Sequence, residues 1–559
     1  MAFQRMNFWT LLGLLTTVLF ISCGTKKSIN DRPNISQYPL SDSPRIEVND
    51  TLFFKDSNSL RKNSYGQWEL IVSGNPLEIG NSIGMLSTEL INDQEKYFFD
   101  KVHDMVPSKF KRYLLRNFLS WYARKMYLNV TEEYKTEIYG ISKYGITENN
   151  LFGSNYLKTL FLHSAHDIGH AFQDLAIVGC TSFAVWGDKT TDGNLIIGRN
   201  FDFYAGDEFS NEKLISFISP DKGYKYMSVS WAGMIGVVSG MNEKGLTVTI
   251  NAAKSDLPIA AKTPISIVSK EIVQYASTIE EAIEIAKKRE VFVSESILVG
   301  SAIDNKAVII EMSPENFGVF EVTNSKELIC SNHFQSETYQ NDKNNIKAIS
   351  ESHSKYRFDK MEELLSDKEK ITPQKAVSIL RNKKGLNDDE IGYGNEKALN
   401  QLLAHHGIVF QPSKKTVWVS SNPYVLGNFV AFQLDSVFKN SNTKNSTLSL
   451  SSLLIEKDDF TISKEFLNYE AFRIEKENLI QTTKNKDDYS LTEVENFISL
   501  NPNYWEVYYL TGKYYFKKKY YKAALIQFNK ALEKEITTVP DQEAINKYIL
   551  KIKRKLNDS

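Results

Sequence analysis

The chain has 559 residues, 42% of them hydrophobic and 24% charged, and its 67 basic and 68 acidic side chains leave a formal net charge of −1. That balance carries no footprint for a nucleic-acid partner or for electrostatic binding to a membrane. Three cysteines, at 23, 180 and 330, exclude a disulfide scaffold and the ligand spacings of zinc sites.

Residues 1–22 place Arg5 before the apolar run FWTLLGLLTTVLFIS and end at Cys23. The run is shorter than the roughly 20 residues of a membrane span and has signal-peptide proportions. Leu19-Phe20-Ile21-Ser22-Cys23-Gly24 resembles a bacterial lipobox, so lipidation at Cys23 and residence at the cell envelope are expected. Residues 23–45 read as a polar tether.

Residues 46–179 read as a helical propeptide or α-chain, with helical patterns at 86–128 and 132–146. His163, His166 and His170 recur there at helical spacing, with Asp167 among them. Such spacing can hold a metal, but without a fourth ligand these residues read as hydrogen-bonding groups beside a site, and no metal or cofactor is expected.

The stretch GCTSFAVWGDKTTDGNLIIGRNFDF, from Gly179 to Phe203, carries the chemistry. Two apolar runs flank a polar turn containing Asp192-Gly193, the pattern of a β-hairpin. The hairpin would set the Cys180 thiol beside Arg199 and Asp202. A free thiol has a pKa of roughly 8.5 and needs a base or a cation to attack at neutral pH. If the Gly179–Cys180 bond is cut, Cys180 gains an α-amino group of pKa roughly 7.7 that can take the thiol proton. Gly179 leaves the attacked carbonyl uncrowded. Arg199 would lower the thiol pKa or bind substrate, and Asp202 would orient the new ammonium group. The competing reading of Cys180 is a small buried hydrophobe, or half of a disulfide with Cys330.

Residues 180–438 read as a core of strands, two helices and strands again. YMSVSW, MIGVVSGMN and GLTVTINA alternate like strands, and runs near 297–302, 306–312 and 317–322 follow, with Asp304-Asn305 as a turn. TPISIVSKEIVQYA and TIEEAIEIAKK read as helices, with Pro264 at one start and a Thr278/Glu281 capping box at the other. Thr372-Pro373 opens a further helix, and HHGIVFQP, KTVWVSS and FVAFQLDSVF read as closing strands. Residues 439–487 form a linker and a charged segment without a clear pattern.

Gly-Cys-Thr-Ser followed by Gly-Arg-Asn-Phe-Asp resembles the cysteine N-terminal-nucleophile hydrolases, a superfamily that includes penicillin acyltransferase, choloylglycine hydrolase and acid ceramidase. GNPLEIGNSIG at 74–84 and EEYKTEIYGISKYGI at 132–146 resemble segments of the penicillin acyltransferase family, and the long stretch before Cys180 fits the branches with a propeptide. The resemblance spans roughly residues 70–435. It implies an α+β fold with a four-layer αββα sandwich, self-cleavage at Gly179–Cys180, and acyl transfer from amides. MNEKGLTVTINA implies Asn251 as an oxyanion-hole residue, and ICSNHF implies Asn332 as a second. SHSKYRF implies Arg357 as a substrate-binding residue, although it can equally be read as a solvated helix position. Arg199 lies nineteen residues after Cys180, several more than in the ceramidase and bile-salt branches. The first hairpin is therefore longer, which leaves the acyl-pocket shape open.

In residues 488–559, Tyr508, Gly512, Tyr515, Ala524, Phe528 and Ala531 fall at the spacings of a tetratricopeptide helix pair. This end reads as a helical cap on the enzyme or as a docking module for a protein partner. The resulting expectation is a lipid-anchored, self-cleaving amidohydrolase or acyltransferase acting on N-acyl amides. The alternative is a non-enzymatic envelope lipoprotein that binds proteins through its C-terminal helices.

Overall fold

The computed structural model describes residues 27–146, 154–164, 167, 179–204, 206–254, 260–440 and 447–557. The expected signal run and Cys23, and His166 and His170, lie outside the described residues.

Among these residues the strands form two sheets. The larger has, in spatial order, Ile46–Asn49, Leu52–Lys55, Asn58–Lys62, Trp68–Gly74, Leu214–Pro220, Tyr226–Ser230, Ser239–Asn242, Leu246–Ala252, Glu295–Ser301, Lys306–Met312 and Phe317–Phe320. The smaller runs Glu327–Cys330, Thr181–Val185, Ile196–Phe201, His406–Gln411, Thr416–Ser420 and Phe429–Gln433. One pair is parallel: Trp68–Gly74 lies beside Leu214–Pro220, with Ile71 opposite Phe217.

Alternation along the strands sorts the apolar residues between faces. Ile71, Phe217, Leu298 and Ile309 of the larger sheet share a core with Ala184, Ile197, Leu328, Ile408 and Phe410 of the smaller. Their sequence neighbours Leu70, Val72, Ile297 and Val299 face the other way, onto Ile138, Leu160, Ile272 and Ala282 of helices. On the smaller sheet Phe183, Val185, Val409 and Trp418 pack against Met361, Leu365, Val377 and Leu380 of the helices Ser354–Leu365 and Pro373–Leu380. Burying a side chain of this size is worth about 1.5–3 kcal/mol.

The segment before Cys180 is not simply helical. Residues 46–74 form four strands joined by tight turns, each paired antiparallel with the next. Asp56 adopts φ 54° in the two-residue turn after Lys55, and Asn63 Oδ1 accepts from the backbone of Tyr65 and Gln67 in the next. The helices Pro76–Leu86, Thr88–Met105, Lys109–Tyr122 and Glu132–Ile141 follow. Asn75 caps the first through the backbone N–H groups of Leu77 and Glu78. That helix crosses Glu132–Ile141 closely: a Cβ on Gly80 would overlap the Glu137 backbone, and one on Gly140 the backbone at Asn81. Their spacing in the sequence thus serves packing.

Two further readings are corrected. Thr278 Oγ1 does cap its helix through Glu281 N–H, but the Glu281 carboxylate reaches back to Ser277 N–H and Oγ at 2.7 and 2.8 Å, so the reciprocal box is not closed. In the charged segment after the linker, which shows no clear pattern in the sequence, Lys464–Asn485 is a 22-residue helix. It buries Phe466, Tyr469, Phe472 and Leu479 between charged positions that hide the pattern.

The helices Leu491–Leu500, Trp505–Lys517, Tyr521–Leu532 and Val539–Asn557 follow it. Gly512 lets Phe528 approach the third of these five helices. Their common core includes Leu402, Tyr424 and Leu426 from the part of the chain that carries the two sheets.

Lys270 and Glu137 form an ion pair at 2.5 Å, with both side chains almost fully buried, between the helices Ile265–Tyr275 and Glu132–Ile141. Removing one member strands the other charge away from water. Glu137→Gln is therefore expected to cost about 3–5 kcal/mol, while Glu137→Leu combined with Lys270→Met recovers most of that loss. Thermal unfolding of the three proteins measures both effects.

Candidate active site

Cys180 stands at the head of the strand Thr181–Val185, which pairs antiparallel with Ile196–Phe201, Ser182 facing Arg199 and Thr181 facing Asn200. This register sets Arg199 Nη2 at 3.8 Å from the Cys180 Sγ. Both residues are buried. The guanidinium lies over the Phe201 ring at 4.2 Å, and it donates to the Val238 and Ile250 carbonyls and to Ser239 Oγ.

The Arg199 contact extends into a chain of polar groups. Ser239 Oγ meets His406 Nε2 at 2.9 Å, and His406 Nδ1 meets His405 Nδ1 at 2.8 Å. Burial holds both imidazoles well below the usual histidine range, so they are neutral. These histidines had no role in the sequence reading; here they back the arginine.

Arg357 is fully buried, so its reading as a solvated helix position is wrong. The first turn of Ser354–Leu365 points it inward. Its Nη1 donates to the carbonyls of Gly179 and Cys180 at 2.7 and 2.8 Å and to Thr181 Oγ1. Its Nη2 donates to Asn332 Oδ1 at 2.6 Å. Arg357 thus ties the main chain on both sides of the Gly179–Cys180 bond to the side chains of Thr181 and Asn332.

Gln401 completes this group. Its Nε2 donates to the Gly179 carbonyl at 2.7 Å and lies 3.3 Å from Asp202 Oδ2. Sequence reasoning missed Gln401. It sits in a loop without a motif, 222 residues from Gly179. No pattern in the sequence singles it out.

Asn251 and Asn332 reach the same region, but each spends an amide N–H on the main chain. Asn251 Nδ2 donates to the Cys330 carbonyl at 3.1 Å while its Oδ1 accepts from Ser182 Oγ. Asn332 Nδ2 donates to the Ala252 carbonyl at 2.7 Å. Each amide has a second N–H beyond these bonds.

The charges are strongly perturbed. Burial pushes the Cys180 thiol up to about 11, against the pull of Arg199 and with a further push from Asp202. Burial raises the Asp202 carboxyl to about 7, opposed by Arg357 and Arg199. The thiol is therefore protonated at neutral pH, and Asp202 is a nearby carboxylate able to exchange a proton there.

Cys180 and Cys330 are both free thiols, so the bridge between them is not formed. His163 is a satisfied core residue: Nδ1 pairs with the Thr159 carbonyl and Nε2 accepts from Ile235 N–H. Asp167 accepts from Ile265 N–H at 2.9 Å. Among the described residues no group of three or more His, Cys, Asp or Glu side chains is arranged for a metal.

An apolar cavity lies beyond Phe201. Phe203 stacks on Phe201 and Trp231, and with Phe209 and Met234 it forms one wall; Ile91, Phe98 and Leu162, from the chain before Cys180, form the other. Phe203 of its lining stacks on Phe201, over which the Arg199 guanidinium lies.

Comparison with known proteins gives a partial match. A relative from Archaeoglobus fulgidus, an uncharacterized protein, is 24% identical over 274 residues, 45% of each chain. The N-acylethanolamine-hydrolyzing acid amidase of Caenorhabditis elegans is 25% identical over 255 residues, 43% of this chain and 69% of that protein. The chain thus spans under half the length of the first relative. Among solved structures, the C. elegans amidase ortholog matches with TM-score 0.31 and 18% identity over 42% of this chain and 93% of that one. A Clostridium perfringens conjugated bile acid hydrolase variant matches with TM-score 0.32 and 16% identity over 49% and 96%. The family model described as acyl-coenzyme A:6-aminopenicillanic acid acyl-transferase matches residues 189–422, a stretch that begins just after Cys180 and contains Arg199, Asp202, Asn251, Asn332, Arg357 and Gln401.

Proposed function

We propose that the chain is a cysteine N-terminal-nucleophile amidohydrolase or acyltransferase, built on an αββα sandwich and matured by cleavage of its own Gly179–Cys180 bond. The observation that carries this reading is the buried Cys180 thiol beside Arg199 and Asp202, directly after a peptide carbonyl held by Arg357. In the cut, Sγ attacks the Gly179 carbonyl carbon and its proton passes to the Asp202 carboxylate. The C–N bond breaks and the Cys180 nitrogen takes a proton. Water then hydrolyses the thioester, freeing the Gly179 carboxylate and returning the Cys180 thiol beside the new α-amino group.

In turnover the α-amine takes the thiol proton and Sγ attacks the substrate's acyl carbon. The leaving amine departs with that proton, and water or a second amine releases the acyl group from sulfur. Arg199 stabilises the thiolate. The unspent N–H groups of Asn251 and Asn332 meet the oxyanion.

The substrate class is a linear amide with an apolar acyl chain and a small polar amine, with hydrolysis favoured over transfer. The similarity to a relative named for N-acylethanolamine hydrolysis supports this, as does the presence of a largely apolar cavity lined by Phe98, Phe203, Phe209 and Trp231. Export and lipid anchoring through Cys23 belong to the same proposal and put the enzyme where N-acyl lipids concentrate. The C-terminal helices act as a cap on the catalytic half.

Purified wild type is expected to run as two pieces in denaturing electrophoresis, the larger starting at Cys180, while Cys180→Ala stays whole. The pieces should co-elute under native conditions, because the strand Trp68–Gly74 remains bonded to Leu214–Pro220 across the cut. An intact chain that turns over amides would refute the maturation step.

A panel of N-acylethanolamines, N-acyl amino acids, bile-salt conjugates and β-lactam amides, with and without an acceptor amine, identifies the substrate. Asn332→Ala should lower kcat 10²–10³-fold, roughly 3–4 kcal/mol, with a much smaller change in KM. Activity confined to esters or to peptides without acyl chains counts against the assignment.

Cys23→Ser is expected to release the protein from the membrane fraction with catalysis intact. Stable anchoring needs more than one acyl chain, so loss of the acylated cysteine should be decisive in fractionation.

A further inference from the structure

The carbonyl of Gly179 is held more firmly than a loop carbonyl needs. Arg357 Nη1 and Gln401 Nε2 each donate to the same oxygen at 2.7 Å. Two donors converging on one buried oxygen, one of them cationic, match the arrangement that stabilises a tetrahedral oxyanion. Here the oxygen belongs to the peptide that precedes the nucleophile, not to a substrate.

The glycine itself fits this arrangement. A Cβ at position 179 would overlap the Gln401 amide. Any other residue there would displace the donor that holds the carbonyl.

The loop that carries Gln401 is clamped on both sides. Asn200, on the strand of Arg199, donates through Nδ2 to the Leu399 carbonyl at 2.9 Å. Tyr469, on the helix Lys464–Asn485, donates through its hydroxyl to the Leu402 carbonyl at 3.1 Å. Asn400 N–H bonds the Asn382 carbonyl, and Asn400 Oδ1 accepts from Leu402 N–H. The amide is thereby held on the scissile bond before any attack occurs, which is the condition for electrostatic preorganisation.

We propose that Gln401 and Arg357 form the oxyanion site of the self-cleavage step, a site distinct from the Asn251/Asn332 pair assigned to the substrate. This rests on the reading that the Gly179–Cys180 bond is cut. As Sγ bonds to the Gly179 carbon, the carbonyl π electrons move to oxygen, where both N–H donors meet the charge. When the C–N bond breaks, the charge returns to the carbonyl and the nitrogen leaves with a proton. Gln401 is the donor specific to this chain's own peptide.

The test is the time course of cleavage in full-length chains, followed by denaturing electrophoresis. Gln401→Met keeps the length of the side chain and removes the N–H, and should slow the cut 10²–10³-fold with a melting temperature close to wild type. Gly179→Ala, which pushes the Gln401 amide aside, should slow it at least about tenfold by the same loss. Either variant cleaving at the wild-type rate overturns the inference while leaving the maturation reading intact. A wild type that is never cut removes both. If Gln401→Met fails to fold, Gly179→Ala alone decides, since the overlap it creates is with the end of a flexible side chain.

Discussion

The Arg357 guanidinium is buried without contact to water, and its donors are spread over three parts of the chain. Nη1 binds the main chain at Gly179 and Cys180, Nη2 binds Asn332, and Nε lies 3.3 Å from His353 Nδ1 at the start of its own helix. A charge in such a place is tolerable only when its N–H groups are satisfied. Burial, with Arg357 adding to it, keeps the His353 imidazole neutral, so Nδ1 can accept. The requirement to satisfy this one cation draws the Gly179–Cys180 peptide, the end of the strand Glu327–Cys330 and the helix Ser354–Leu365 to one point.

Around it the site holds more positive than negative charge. Arg199 and Arg357 are cations, Asp202 titrates near neutrality, and burial pushes the Glu295 carboxyl well above the carboxylate range. An excess of fixed positive charge favours a thiolate and, after attack, an oxyanion. The high pKa of the Cys180 thiol reflects burial outweighing Arg199.

The remote parts of the chain serve the same centre. The strand Trp68–Gly74 is built into the larger sheet, and helices before Cys180 line one side of the apolar cavity. The C-terminal helices bond to the loop 385–404 at several points: Asn501 pairs with both the N–H and the carbonyl of Tyr393, Asn395 donates to the Glu535 carbonyl, and Tyr469 holds Leu402. Part of their contact with the rest of the chain is thus made on the loop that carries Gln401, and part on Tyr204, Asp207 and Tyr424 through Arg473 and Glu470. That arrangement favours a bracing role for these helices over an independent docking module.

The sequence by itself determined the local features. The hairpin from Cys180 to Phe201, its Asp192-Gly193 turn and the nearness of Arg199 to the thiol follow from alternation and turn chemistry within some twenty residues. The helices Ile265–Tyr275 and Ile279–Lys287 follow in the same way from period and caps. Tertiary structure decided the rest. Resemblance marks Arg357 as a site residue, but its burial is not legible, because a helix with mixed charges carries no mark of which residue faces inward. Gln401 is invisible because its role depends on a carbonyl brought to it by folding, and a lone glutamine in a loop carries no periodicity. The strands at 46–74 were missed for a related reason: their partners include Leu214–Pro220, and their stability comes from that sheet rather than from their own composition. Local geometry is written in neighbouring residues, whereas the satisfaction of a buried charge depends on segments that meet only in the folded chain.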